Sequence, residues 1–247
     1  MNKILFPGLA WLLLLLIPLT FWGFYPSYFA KLFSVQLVYH AHAFFMILWV
    51  AMAIAQPFLI RQKKTKLHKA IGKASYLIMP MLFISSYIVI RHTYYNFIDT
   101  QAAELEAGAS TLTMEKLYSD AAAYIMIGVV YIIWLFDFYV LAILNRKKMP
   151  NHATYMFAAI LTLLGPTIDR IMYQITMYFG GSFNVFVENA VFVSILLILT
   201  GLILYQKKIG TAIKPASIAL SIYVAGIIAY HLLPKTSFWK SFIQWVL

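Results

Sequence analysis

The stretch VQLVYHAHAFFMILWVAMAIAQPFLIRQKKTKLHKAIGKASYLIMPMLFISSYIVI, residues 35–90, decides the fold. It holds two apolar runs, each at least as long as the roughly 20 residues a helix needs to cross a bilayer's hydrocarbon. Between them stand Arg61, Lys63, Lys64 and Lys66, with Lys69 and Lys73 just beyond and no acid in the turn. Neither run alternates polar and apolar residues with period two, so two helices joined by a basic turn are expected rather than strands of a barrel.

The rest of the 247-residue chain repeats this pattern. Hydrophobic residues make up 63% of it and charged residues 11%, where a soluble domain spends about a quarter on charge. A water-facing surface of ordinary size cannot be covered from that composition, so the chain is expected in a membrane. The absence of cysteine excludes a disulfide scaffold, thiolate ligands and a cysteine nucleophile. Spanning-length runs lie at about 4–24, 35–60, 70–90, 121–144, 153–178, 185–205 and 216–233, giving an all-α bundle of seven transmembrane helices in a single domain, 1–247. The first run follows Lys3, as a secretory signal would. It is too long for one, and it leads into Phe24, Tyr25 and Pro26 rather than a small-residue cleavage pattern, so it is expected to remain as a span.

Charge then orients the bundle. Arg146, Lys147 and Lys148 follow the fourth run, and Lys207, Lys208 and Lys214 follow the sixth, again without acids. The alternate connections carry Asp99, Glu104, Glu106, Glu115 and Asp120. Placing the basic connections in the cytoplasm puts the amino terminus inside and the carboxyl terminus outside. The net charge of +11 is thereby a topology signal, and no nucleic-acid partner is expected. The one long connection is expected over 93–119, with a short surface helix at 111–115. Phe238, Trp239, Phe242 and Trp245 recur at near-helical spacing in 235–247, which reads as an amphipathic tail lying in the outer interface.

Ionisable residues inside the apolar runs carry the functional information, because each costs at least a few kcal/mol unless it is paired or faces water. His40, His42, His92 and His231 fall in the outer parts of three runs, and Asp169 with Arg170 lies about 12–14 Å below the outer end of the fifth. Glu188 and Asn189 enter with the sixth. His40 and His42 point about 200° apart on a helix, so they cannot share one small site. Asp169 with Tyr173, and Arg170 with Gln174, form two polar stripes. Gly165-Pro166 should kink the helix just before them and free the carbonyl near Thr162. An inner group, His68, His152 and Asp137, reads more simply: the histidines stand at basic helix starts, and Asp137 is expected to pair with Arg146, His68 or His152.

Histidines from separate helices are the usual way a bundle holds haem b or a divalent metal, so the leading expectation is a membrane-embedded haem or metal protein with a redox function. Haem would take His40 or His42 against His92 or His231. Zinc would take His40, His92 and His231 with an open position for water. In either case Asp169, Arg170, Tyr173, Glu188 and Asn189 would be supporting groups. Two alternatives stay open: a proton-coupled carrier or small-molecule binding protein whose outward cavity those residues line, and an accessory subunit whose polar groups satisfy one another and a membrane partner. A retinal protein is excluded, since no lysine lies deep in a run. No HExxH, GxSxG or phosphate-binding glycine loop is present.

HAHAFFMILWVAMAIAQPFLIRQKKTKLHKAIGKASY (40–76), NRKKMPNHATYMF (145–157) and the PTIDR that follows resemble an uncharacterised group of multi-pass bacterial inner-membrane proteins. That group shares a His-led helix ending in Gln-Pro or Gln-Phe, a basic turn, and a His-Arg-x-x-Gly helix start, where this chain has Lys69 for Arg. The resemblance implies a bacterial inner-membrane location and no particular activity.

Overall fold

The computed structural model describes residues 8–108, 112–180 and 185–247, without the side chains of residues 9 and 185–188. Among them the secondary structure is entirely helical. The order is α1 (Leu9–Leu12), α2 (Leu16–Phe24), α3 (Leu37–Arg61), α4 (Thr65–Glu106), α5 (Met114–Tyr124), α6 (Met126–Leu144), α7 (Met149–Leu161), α8 (Leu164–Tyr178), α9 (Val185–Lys208), α10 (Lys214–Leu232) and α11 (Ser237–Val246). Six stretches are long and apolar enough to cross a membrane: α3, α4, α5 with α6, α7 with α8, α9 and α10. This is the build of a multi-pass membrane protein. The first apolar run is shorter, Ala10–Phe24, and residues 4–7 of the expected span lie outside the described residues.

The long connection expected over 93–119 is mostly helix. α4 runs unbroken for 42 residues, about 63 Å at 1.5 Å per residue and twice the thickness of a hydrocarbon core. No Gly or Pro interrupts 93–106, and the helix ends only where Gly108 takes φ +70°, the left-handed conformation that favours glycine. The projecting part is held by burial of Tyr94 and Ile98 in a core shared with Leu117 and Ala121 of α5. The short surface helix expected at 111–115 is the start of α5, whose Thr113 hydroxyl accepts from the Lys116 N–H at 3.3 Å; residue 111 itself lies outside the described residues.

α3 packs along α4, α6 along α7, α9 along α10, and α2 along α8. The centre is aromatic: Trp134, Phe138 and Tyr223 are buried in contact, with ring centroids 4.6 and 4.8 Å from Tyr223. Their polar ends reach backbone carbonyls of neighbouring helices. Trp134 Nε1 donates to Ile222 O at 3.1 Å and Tyr223 OH to Ala158 O at 2.8 Å.

The tail differs from an isolated interfacial segment. α11 buries Trp239 and Ile243, and Trp239 Nε1 donates to Ala122 O of α5 at 2.9 Å. Tyr87 OH reaches Val246 O at 2.8 Å, and Arg91 Nε and Tyr95 OH reach Leu247 O at 2.9 and 3.1 Å. The segment is therefore bound to α4 and α5 on one face, while Phe238, Phe242 and Trp245 stay exposed on the other.

Candidate functional site

The site begins with a backbone break. Pro166 has no N–H to give the Thr162 carbonyl, and the expected kink is present: α7 ends at Leu161 and α8 begins at Leu164. Thr162 and Thr167 satisfy the carbonyls around the break, Thr162 Oγ1 donating to Ala159 O at 2.7 Å and Thr167 Oγ1 to Leu163 O at 2.9 Å. Gly165 leaves room for the Tyr131 phenol of α6, which a Cβ at 165 would strike. Tyr131 OH in turn donates to Asp169 Oδ2 at 3.4 Å.

α2 closes the other side. Its Gly23 lies so near α8 that a Cβ would sit 2.7 Å from Thr167 O. Pro26 cannot extend α2, and Gln174 of α8 caps its last turn instead, Nε2 donating to Gly23 O at 3.0 Å and Trp22 O at 3.3 Å. Arg170 folds back along α8, Nη1 donating to Pro166 O at 2.8 Å, with its guanidinium 4.4 Å from the centroid of the Phe24 ring.

Between these elements, α4 and α6 lies a cavity of about 660 Å³. Asp169, Arg170, Tyr173 and Gln174 line it from α8, and Lys31 stands at the end of a short 3-10 turn, Phe29–Lys31, after α2. Val89, Ile90, Ile125 and Ile127 supply apolar wall and Thr93 a hydroxyl. Both stripes foreseen on α8 thus face one space. Lys31, Tyr131 and Thr93 were not singled out from the sequence. Lys31 lies in a connection rather than a span, and a tyrosine within an apolar run gives no periodic signal to separate it from core.

None of the six histidines lines that cavity. His40 Nδ1 lies 2.9 Å from Tyr28 OH, in the segment after α2. His42 Nδ1 lies 3.3 Å from Ser85 Oγ of α4, so the two histidines face different neighbours, as their spacing requires. His92 stacks edge-on against Tyr39 at 5.5 Å, and His231 Nε2 meets Asn189 Oδ1 at 3.0 Å. Among the described residues no group of three or more His, Asp or Glu is gathered as a metal ion would need, so His40, His92 and His231 do not form the expected zinc triad. Each packs against a different neighbour: Tyr28, Tyr39 and Asn189 respectively. The Glu188 side chain lies outside the described residues.

On the basic side, His152 Nδ1 pairs with Ala142 O at 2.8 Å, while His68 Nδ1 and Gln56 Oε1 are buried without a hydrogen-bond partner among the described residues. The ion pair expected for Asp137 is absent: among the described residues the only salt bridge joins Lys116 to Asp120. The reason is the face it occupies. Asp137 is half-exposed and shares its side of α6 with Ile133 and Leu144, which are 51% and 74% exposed, so it faces away from the buried side of the helix.

Compared with protein-family models, curated proteins and solved structures, the chain matches none of them.

Proposed function

We propose that the protein is a membrane-embedded binding protein or carrier for a small organic anion with an apolar body. The observation that supports this is the cavity itself. Its 660 Å³ lies within the range of about 300–1,000 Å³ usual for small-molecule sites. It is lined by side chains from four parts of the chain, and it sets two cations and one acid against apolar wall. A buried charge is costly in hydrocarbon, and a water-filled cavity open to a ligand removes that cost. Arg170 and Lys31 supply the positive field and Arg170 a planar fork suited to carboxylate or phosphate. Asp169, beside Arg170, is the group that would exchange a proton when an anion arrives. Tyr173 and Gln174 offer neutral hydrogen bonds, and the isoleucines take up the apolar part.

In this reading the bundle has seven spans, the first run included, and lies in a bacterial inner membrane. The basic connections are cytoplasmic, the amino terminus inside and the carboxyl terminus outside, and the cavity opens outward. The acids and bases at the two ends of the bundle support that orientation.

Calorimetric titration of the detergent-solubilised chain with octanoate tests the proposal. Saturable binding is expected, weakened about tenfold or more by Arg170→Gln, the loss of one charge-assisted contact. In Asp169→Asn, the proton exchanged on binding, read by repeating the titration in buffers of different ionisation enthalpy, should disappear. Binding indifferent to Arg170→Gln would overturn the assignment.

A further inference from the structure

A second space lies on the outer side of α3 and α4, separate from the cavity around Asp169. It is a groove of about 610 Å³ between the start of α3 and the part of α4 that carries on past the apolar layer. We propose that it holds the headgroup of a zwitterionic phospholipid, one with a phosphate and a free amine such as phosphatidylethanolamine. This inference does not depend on the proposed anion cavity.

The sequence of α4 dictates the order of chemistry along the groove. Ile88, His92, Tyr95 and Asp99 recur at spacings of four, three and four and therefore lie on one helix face, with Arg91 flanking it. At about 1.5 Å per residue, Ile88 and Asp99 are separated by roughly 16 Å along the axis. From the apolar layer outward the face reads as hydrocarbon contact, then base, then aromatic, then acid. Ile88, 44% exposed, forms the apolar end, while Leu37 at the start of α3 stands further out, past the level at which Tyr39 packs on His92. A phospholipid presents the matching order: acyl chain, phosphate, amine.

The charges are available for such a ligand. Arg91 donates its Nε to Leu247 O and lays its guanidinium 4.9 Å from the Tyr95 ring, and its two terminal nitrogens have no partner among the described residues. Asp99 is exposed and takes part in no salt bridge among the described residues. A purely anionic ligand would meet Asp99 as a repulsion, whereas a phosphate with a tethered amine meets Arg91 and His92 at one end and Asp99 at the other. The acid is what selects the zwitterion over a phosphate ester alone.

Native mass spectrometry of the full chain in detergent, titrated with phosphatidylethanolamine or with phosphatidylglycerol of the same acyl chains, tests this. The unaltered chain should bind phosphatidylethanolamine about fivefold more tightly, the effect of one charge at a membrane surface. Asp99→Asn should erase the preference without weakening phosphatidylglycerol. His92→Gln, and Arg91→Gln with it, should weaken both lipids; the single His92 variant keeps the test valid should loss of Arg91 release Leu247. Equal binding of the two lipids by the unaltered chain, or a preference that survives Asp99→Asn, would overturn the proposal. Displacement of both lipids by millimolar inorganic phosphate would also overturn it, by marking the groove as a site for the free anion.

Discussion

Tyr131 occupies the space that Gly165 leaves open and, from there, hydrogen-bonds Asp169 one turn further along α8. One aromatic side chain from α6 thus links the break in the fifth apolar run to the acid of the cavity. A methyl group at residue 165 would push Tyr131 out. Gly165→Ala is expected to destabilise the protein by about 1–3 kcal/mol, the usual cost of overpacking a close contact. Tyr131→Phe keeps the packing and should cost no more than about 1 kcal/mol. Thermal unfolding in detergent separates the two, and equal effects would contradict the steric account.

Asp137 provides a stability test of opposite sign. A carboxyl group half-exposed among lipid-facing Ile133 and Leu144, with no ion pair among the described residues, is a burden on the isolated chain. Asp137→Leu should stabilise it by about 1–3 kcal/mol. Denaturation in detergent checks this. Destabilisation would show that Asp137 is engaged after all, and co-purification of a membrane partner lost in the variant would identify by what.

The docked tail makes a third prediction. Trp239 is buried and bonded to Ala122, so Trp239→Ala should detach α11 at a cost of about 3 kcal/mol or more. Trypsin should then cut after Lys235 and Lys240 many times faster. Phe238→Ala, on the exposed face, should leave cleavage unchanged.

Much of this was legible because it depends on local chemistry. Proline's missing N–H is a property of residue 166 alone, so the break in the fifth run and the clustering of Asp169, Arg170, Tyr173 and Gln174 could be read from spacing. The projecting end of α4 could not, because Asp99, Gln101, Glu104 and Glu106 look like a loop by polarity; only the missing Gly and Pro and the burial of Tyr94 and Ile98 keep it helical. The histidines mark the larger limit. Period and depth give the height and face of a side chain but not which helix stands opposite. Tyr28 beside His40 and Ser85 beside His42 are fixed by packing between distant segments.

The same limit applied to Gln174. Its stripe on α8 was evident, but its role as the cap of α2 required knowing that α2 lies alongside. Gln174→Met removes both donors to Trp22 and Gly23 and should loosen α2 by about 1–2 kcal/mol. Faster hydrogen exchange confined to residues 16–24 would confirm it.

Because the chain has no cysteine, single introduced thiols can report directly on whether the α8 charges line a wet cavity. The measurement is the labelling rate by a charged, membrane-impermeant methanethiosulfonate added from outside to the reconstituted protein. Thr93→Cys and Tyr173→Cys should react quickly and be protected by octanoate, while lipid-facing Ile133→Cys should stay inert. Cavity-wall thiols as unreactive as the one at 133 would contradict the account.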